Sequence, residues 1–109
     1  MDLVKRFEVY WVDLDPTKGS EIQKRRPCVV VSPDDLNGKL ATVIIAPLTS
    51  TIKGWPFRVV VRFQGKKGEI ALDQIRTVDK SRLYHPLAGT LVKEEQDEVL
   101  RLLGVMFSR

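Results

Sequence analysis

The 109-residue chain is poor in the residues that build disulfides, metal sites and membrane spans. One cysteine, Cys28, cannot form an internal disulfide, and a single histidine, His85, makes a structural zinc site unexpected. No apolar run approaches the roughly 20 residues of a membrane-spanning helix, and residues 1–6 lack the apolar segment of a secretory signal. These absences favour a cytoplasmic protein with no membrane association and no metal or other cofactor.

Charge and length indicate one globular domain with a basic surface. Hydrophobic residues make up 43% of the chain and charged residues 29%, as expected for a folded protein, and we predict one domain over residues 1–109. Residues 1–92 contain 15 Lys and Arg against 10 Asp and Glu, whereas residues 93–109 contain 3 against 4. The basic part, densest at residues 24–26, is consistent with a nucleic-acid surface or with a solvated loop.

Alternating and apolar segments predict several short β-strands. Residues 7–12 alternate, which places Phe7, Val9 and Trp11 on one face and makes Trp11 a core residue. Further strands are predicted over residues 28–32, 40–46, 57–63, 69–75 and 87–91. The clearest local prediction is a hairpin that joins 57–63 to 69–75 through a turn at 64–68. Residues 34–39 predict a turn with Asn37-Gly38 at positive φ, and residues 79–83 predict a helical turn.

The C-terminal segment, residues 93–107, predicts an amphipathic helix without a recognisable N-cap. Val99, Leu102, Leu103 and Met106 fall on one face of it. Short strands, turn signals and one closing helix together favour a mainly β, compact antiparallel barrel. Cys28, which leads into an apolar strand, is expected to be a packing residue.

The most informative feature is a polar loop that ends with Arg26 at the mouth of a buried strand. A second strand, over residues 42–46, ends similarly in a segment that contains Thr49. Two strand ends that offer a guanidinium and a hydroxyl can converge on one anion, because a guanidinium forms paired hydrogen bonds with phosphate oxygens. The sequence therefore predicts a phosphate-handling site.

Six blocks in order resemble the MazF/PemK (Kid) family of toxin endoribonucleases: WVDLDPTKGSE at 11–21, RRP at 25–27, VVSP at 30–33, APLT at 46–49, KGWPF at 53–57 and LDQIRTVD at 72–79. The resemblance implies the SH3-like barrel of CcdB/PemK-like toxins, with short helices, a C-terminal helix and a homodimeric assembly. It implies a type II toxin that acts as a sequence-specific mRNA interferase. Metal-independent cleavage of single-stranded RNA would leave 2′,3′-cyclic phosphate and 5′-hydroxyl ends. The implied partner is a MazE-like antitoxin with an acidic, flexible tail.

The resemblance also assigns roles to individual residues. Arg26 and Thr49 match the catalytic pair, and charge stabilisation suits Arg26 better than proton transfer because a guanidinium titrates above about 12. Glu21, Asp73 or a water molecule is then the more natural base. Some Kid-like members pair the aspartate with an arginine and a histidine, but Ala71 and Ser20 stand at those positions here. The expected RNA-binding residues are Lys18, Ser20, Arg25, Ser50, Trp55 and Gln74, and Glu21 and Asp73 belong either with these or with the catalytic groups.

Several alternatives remain at this stage. Trp55 suits base stacking, antitoxin contact or simple loop packing, and His85 is expected to be an exposed structural residue rather than a base. A CcdB-like gyrase poison and a non-catalytic RNA-binding barrel are the alternative functions. Cleavage of single-stranded RNA in EDTA would separate the three.

Overall fold

Seven antiparallel strands form one strongly curved sheet in the computed structural model, which describes residues 3–22 and 24–109. The elements are β1 (Glu8–Asp13), β2 (Arg25–Val30), α1 (Asp34–Asn37), β3 (Thr42–Thr49), β4 (Arg58–Phe63), β5 (Lys66–Ala71), β6 (Arg76–Asp79), β7 (Leu83–Thr90) and α2 (Lys93–Met106), with 3₁₀ turns at Leu72–Gln74 and Lys80–Arg82. The strand order is β4-β5-β3-β2-β1-β7, and β6 pairs beside β3. The prediction of a mainly β antiparallel fold with a C-terminal helix is confirmed.

The sheet curves because β3 changes its partners along its length. Its first half pairs with β6 and its middle with β2, up to the pair Cys28↔Pro47, whereas its last residues pair with β5 through Leu48↔Ile70. Both faces of the curved sheet are apolar: Val29 and Leu48 belong to one buried cluster, and Cys28 to another. Alternate residues of β2 therefore face two different cores, which explains why its residues 28–30 are all apolar.

Cys28 is fully buried, which confirms its expected packing role. Burial raises the pKa of its thiol to about 12, although the positive charges of Arg76 and Arg26 act in the opposite direction. The thiol is therefore protonated and inert at neutral pH.

The β4–β5 hairpin is tighter than predicted. Only Gln64 and Gly65 form its turn, both at positive φ (51° and 79°), and Phe63 pairs directly with Lys66. Residues 66–68 thus belong to β5 rather than to the turn, and β5 ends at Ala71 rather than at residue 75. A two-residue turn of this kind matches the twist of the flanking strands, which explains why the shorter connection forms.

Other strand limits also differ from prediction. β2 begins at Arg25 rather than at residue 28, because its ladder with β1 continues to the pair Asp13↔Arg25. β7 begins at Leu83 rather than at residue 87, along the other side of β1. The helical turn expected at 79–83 is present as the 3₁₀ turn Lys80–Arg82.

The expected positive-φ turn at Asn37-Gly38 is wrong. Residues 34–37 form α1, and Gly38 has a φ of −78°. Asn37 is buried, its amide nitrogen donates to the Ser32 carbonyl oxygen at 2.9 Å, and its amide oxygen accepts from the Ser32 hydroxyl at 2.6 Å. These two bonds hold Asn37 inside the fold, where a tight surface turn would have exposed it.

The C-terminal helix packs its predicted apolar face on the first buried cluster through Val99, Leu102, Leu103 and Met106. Its N-terminus is capped by Glu95, whose carboxylate accepts from the Val92 N–H at 3.1 Å and from the Arg62 N–H of β4 at 3.0 Å. Sequence inspection missed this cap because it comes from inside the first turn. Over residues 3–22 and 24–109, no helix is long and apolar enough to cross a membrane.

Candidate functional site

Arg26 and Thr49 lie together where β2 and β3 separate. The last pair of their ladder is Cys28↔Pro47, and two further steps in the same register would place Arg26 opposite Thr49. Directly opposed residues share a face of an antiparallel pair. Beyond Pro47, β3 turns to β5 and leaves β2, so a cavity of about 350 Å³ opens between the strand tips. Arg26 and Thr49 both line this strand-tip cavity.

Two other predicted residues, Arg25 and Ser50, also line the strand-tip cavity. The guanidinium carbon of Arg25 lies 4.5 Å from the ring centroid of Tyr84, in cation–π contact. The Thr49 hydroxyl donates to the Thr51 carbonyl oxygen at 3.0 Å. The structure thus brings together four residues from two separate sequence blocks, and their catalytic and binding roles remain predictions.

The backbone of Thr49 is fixed by the neighbouring strand. A Cβ atom on Gly68 would lie 2.6 Å from the Thr49 carbonyl oxygen, a distance that side-chain carbon atoms do not occupy. Only glycine allows β5 to approach β3 this closely at Gly68. The position of Thr49 therefore depends on Gly68.

The hairpin contributes residues that sequence reasoning missed. Phe63, Gln64, Lys66 and Lys67 all line the strand-tip cavity. The adjacent lysines were a visible basic signal, but only the pairing of β5 with the tip of β3 brings them beside Thr49. Together with Arg25 and Arg26, they give the cavity four cationic side chains.

Trp11 also lines this cavity, and the prediction that it is a core residue is wrong. Its indole is only half-buried and meets the ring of Phe63 edge-on, with ring centroids 6.2 Å apart and an interplanar angle of 65°. Phe7, Val9 and Trp11 do share a face, but the buried core covers that face only as far as Val9. The alternating pattern identifies the face without showing where the core ends.

A loop cavity of about 420 Å³ lies beneath the first long loop and contains four further predicted residues: Ser20, Glu21, Asp73 and Gln74. The Gln74 amide oxygen accepts from the Ile22 N–H at 2.8 Å, and Arg76 donates to the Leu14 carbonyl oxygen at 3.0 Å. Pro47 lines this cavity, whereas its neighbour Leu48 lines the strand-tip cavity. The two cavities therefore adjoin each other across β3.

The carboxylates of the loop cavity have different partners. Glu21 is exposed and accepts from the Lys18 N–H at 2.6 Å, which closes a turn of the loop. Asp73 instead forms a two-bond ion pair with Arg58, through contacts of 2.6 Å to Nε and 3.1 Å to Nη2. These hydrogen bonds lower the pKa of Asp73 and raise the pKa of Arg58.

Behind Asp73 lies a buried carboxylate, Glu69, which sequence reasoning did not single out. It accepts from the Lys53 N–H at 3.1 Å, the Gly54 N–H at 2.8 Å and the Arg58 guanidinium at 3.3 Å. Burial opposes ionisation of Glu69, but these bonds outweigh it, so the pKa of Glu69 lies below its usual value. Glu69 and Arg58 thereby anchor the 53–55 loop to the hairpin.

Trp55 and Lys18 do not join either cavity. The ring of Trp55 is 52% exposed, with Lys53 Nζ at 4.2 Å and the Arg58 guanidinium carbon at 4.8 Å from its centroid. Lys18 lies exposed in the first loop. The predicted RNA contacts at these two positions would therefore lie outside the cavities.

His85, as expected, is exposed; its ring lies 5.2 Å from that of Tyr10 and lines neither cavity. In the part of the chain that the structure describes, no group of three His, Cys, Asp or Glu side chains could hold a metal ion.

Comparison with known proteins gives a consistent result. The family model for the PemK-like, MazF-like toxin of type II toxin-antitoxin systems matches residues 5–107. The endoribonuclease toxin MazF of Escherichia coli (strain K12) is 35% identical over 99 residues, which cover 91% of this chain and 89% of that protein. The crystal structure of MazF from Deinococcus radiodurans superposes with a TM-score of 0.84 at 29% identity and covers 97% of both chains. A MazE-MazF structure from the same organism gives 0.75 at 26% identity over 96% of both chains.

Proposed function

The chain belongs to the PemK-like, MazF-like toxin family of type II toxin-antitoxin systems and is an endoribonuclease, and we propose that it cleaves single-stranded RNA at the strand-tip cavity without a metal ion. The observation that carries this proposal is the convergence of Arg26 and Thr49 at the point where β2 and β3 separate. A base takes the proton of the ribose 2′-hydroxyl, and the 2′-oxygen attacks the adjacent phosphorus. The bond between phosphorus and the 5′-oxygen breaks, and water protonates the leaving 5′-oxygen. The products are a 2′,3′-cyclic phosphate and a 5′-hydroxyl.

Arg26 stabilises the negative charge that builds up on the phosphate oxygens. Its planar guanidinium can donate two parallel, charge-assisted hydrogen bonds to a phosphate. A donor held in place before the reaction needs no reorganisation as the charge develops. The other cations of the cavity (Arg25, Lys66 and Lys67) raise the local concentration of the polyanion.

Thr49 supplies a second, neutral donor to the same phosphate. Its hydroxyl donates to the Thr51 carbonyl oxygen, so it must rotate to reach an RNA oxygen. The exchange replaces one hydrogen bond by another and costs little. We expect the contribution of Thr49 to be smaller than that of the charged Arg26.

Glu21 is a better proton acceptor than Asp73. The Asp73 carboxylate is engaged by two hydrogen bonds from Arg58, and its lowered pKa makes it a weaker base. Glu21 lies on the first loop in the adjoining cavity, and its carboxylate accepts from the backbone N–H of Lys18. Asp73 and Gln74 then line the path of the flanking bases, where the Gln74 amide nitrogen can donate to a base edge.

Single-stranded RNA fits this site because in-line attack requires a linkage free to rotate. We place the reaction in the cytoplasm, where mRNA is available, and take residues 1–109 as one toxin domain. We further propose that a MazE-like antitoxin binds this chain, which the MazE-MazF structure of Deinococcus radiodurans supports. Its acidic, flexible segment would lie across the cations of the strand-tip cavity. The toxin would act as a homodimer.

The proposal is tested by substitution at Arg26 and Thr49. Arg26→Ala should lower the cleavage rate roughly a hundred- to a thousand-fold, as expected when one preorganised charge-stabilising donor is lost. Arg26→Lys should recover little of it, since an ammonium cannot form the planar fork. Thr49→Val keeps the shape of the side chain and removes only the hydroxyl, so we expect a smaller loss. Cleavage of a long single-stranded RNA is measured in EDTA, and the product ends are mapped.

Arg101→Ala is the matched control, because Arg101 lies on the exposed side of α2 and pairs with Glu98. It should leave the rate unchanged. Arg26→Ala should lower the affinity for an uncleavable RNA, which has a 2′-deoxy group at the cleaved position, much less than it lowers turnover. Other contacts supply most of the affinity. Full activity of Arg26→Ala, or an absolute requirement for added divalent metal, would contradict the proposal.

A further inference from the structure

We propose that Trp11 and Phe63 form a nucleobase-stacking subsite in the strand-tip cavity, and that Lys66 and Lys67 hold an adjoining phosphate. The inference rests on the proposed function and deepens it, because it names the groups that bind the nucleotide next to the cleaved bond. The occupant is one base of single-stranded RNA.

The platform begins with a row of side chains across three strands. Trp11 of β1 is registered with Tyr84 of β7 on one side and with Pro27 of β2 on the other. Directly opposed residues place their side chains on the same face, so the three lie in one row across the sheet, with the Arg25 guanidinium over the Tyr84 ring. None of the three belongs to the buried core, and Tyr84 is 44% exposed.

Phe63 makes a corner above this row. Its ring meets Trp11 edge-on, and a Cβ atom on Gly89 of β7 would lie only 3.7 Å from its Cε1 atom. The hairpin therefore folds over the sheet until Phe63 touches β7. Two rings at 65° leave a corner in which a base can stack on one ring and meet the edge of the other.

The charges around this corner suit a nucleotide. The cavity is lined by Arg25, Arg26, Lys66 and Lys67, and by no carboxylate among the residues that the structure describes. Both lysines are exposed at the start of β5, immediately after the turn that follows Phe63. Aromatic platforms bordered by cations are the usual means of binding single-stranded nucleic acid, because every base has a π-face and every linkage carries a charge.

The test is an abasic scan coupled to substitution. A nine-nucleotide strand with the mapped cleavage sequence, a 2′-deoxy group at the cleaved position and a 5′ fluorescent label is made in versions that each lack one base. Anisotropy then gives the affinity of each version for the wild-type protein, Trp11→Leu and Phe63→Leu. Phe107→Leu is the matched control, since it removes an exposed aromatic ring outside the cavity.

We expect one abasic position, next to the cleaved bond, to lower wild-type affinity by about tenfold or more. Trp11→Leu and Phe63→Leu should lose less than about threefold in affinity when the same base is missing, because the ring that stacks on it is already gone. Phe107→Leu should show the full wild-type loss. Equal losses in all four proteins at every position would overturn the proposal. Thermal melts establish that each variant folds.

A second readout covers the case in which Trp11→Leu does not fold. In a Trp55→Phe background, Trp11 is the only fluorophore of its kind, and saturating oligonucleotide should quench its emission. Unchanged emission at saturation, or quenching by a poly-glutamate peptide but not by the oligonucleotide, would overturn the assignment to RNA.

The lysines are tested by the salt dependence of binding. Each of Lys66→Gln and Lys67→Gln should reduce the slope of log affinity against log salt by about 0.7, the value for one phosphate contact to a single strand, while Lys93→Gln on α2 should not change it. Unchanged slopes in both hairpin variants would overturn the lysine part of the proposal.

All these readouts measure binding, so they are independent of turnover. If the wild-type protein cleaves no RNA, unmodified oligo(dA) and oligo(dT) serve as ligands. Binding coupled to Trp11 would then support the subsite while the proposed cleavage failed. If the protein cleaves RNA but its binding does not depend on Trp11, the proposed cleavage would be supported and the stacking subsite would be wrong.

Discussion

Replacing the buried Glu69 should destabilise the protein far more than replacing an exposed acid. Its side chain is fully buried and accepts three hydrogen bonds, from the N–H groups of Lys53 and Gly54 and from Arg58. Glu69→Gln keeps the shape and one acceptor oxygen, but it presents an NH₂ group where the carboxylate faces the guanidinium. The main change is therefore the loss of one charge-assisted hydrogen bond.

The magnitude follows from that single bond. Hydrogen bonds to charged groups contribute about 1.5–3 kcal/mol, so we expect Glu69→Gln to lower the free energy of unfolding by about 2 kcal/mol. Glu69→Leu leaves two N–H groups and one side of a guanidinium unpaired, for which about 3–5 kcal/mol is expected. Asp73 continues to hold Arg58 in both variants, which keeps the loss within this range. For a domain of this length, about 2 kcal/mol corresponds to a midpoint shift of roughly 8 °C.

The same carboxylate predicts how stability depends on pH. The pKa of Glu69 in the folded protein lies below its ordinary value of 4.5, so the ionised group stabilises the fold above that pH. The stabilisation is lost as the pH falls below 4.5 toward the folded pKa. The difference in stability between wild type and Glu69→Gln should therefore be largest at neutral pH and shrink steadily under acid.

Urea denaturation at pH 7 and at a series of acidic pH values measures both effects. Asp97→Asn is the control, because Asp97 forms an exposed pair with Lys93 and should change stability by less than about 0.5 kcal/mol. Equal stability of Glu69→Gln and Asp97→Asn at pH 7, or a difference from wild type that persists undiminished in acid, would refute the reasoning.

Three further predictions concern the site and the assembly. Gly68→Ala should impair cleavage and lower stability by roughly 1–3 kcal/mol, because the new Cβ atom must displace the Thr49 carbonyl oxygen, as thermal melts and RNA cleavage would show. His85→Ala should cleave at close to the wild-type rate, since the ring lines neither cavity; a large loss of rate would place the site wrongly. Light scattering at micromolar concentration should give about twice the chain mass of 12.4 kDa, because a dimer would cover exposed edge residues such as Val60; a clean monomer would contradict this.

The strands and the helix whose apolar residues recur at a regular spacing were the predictable part of the fold. Period-2 alternation located β1 and β4, and the 3.6-residue period located α2 and its buried face. Trp11 shows the limit of such patterns. Periodicity assigns a side chain to a face, but the extent of the core on that face depends on which other elements fold over it, and that is a property of the topology.

The ion pair between Arg58 and Glu69 was not predicted because the turn between β4 and β5 was expected to be longer than it is. A turn over residues 64–68 would pair Phe63 with Glu69, whereas the two-residue turn pairs Phe63 with Lys66. The observed register places Arg58 opposite Ala71, so Glu69 is its diagonal neighbour on the same face. The predicted pairing of β5 with β4 is three residues out of the observed register. A shift by an odd number of residues puts every side chain of β5 on the opposite face, so the predicted turn could not bring Glu69 to Arg58.

Some residues of the site were predictable from local motifs, and others depend on the topology of the sheet. This difference determines which positions of the site can vary among related chains. Arg26 and Thr49 converge through a single β2–β3 ladder, so two strand-end motifs suffice to predict their meeting. The hairpin residues Phe63, Lys66 and Lys67 reach the same cavity only because β5 pairs with the last residues of β3. The turn and the two lysines at the start of β5 can therefore change without moving the Arg26–Thr49 pair, as long as Gly68 is kept. Under the proposed roles, a toxin of this architecture keeps its phosphate chemistry on β2 and β3, while the hairpin selects the neighbouring nucleotide.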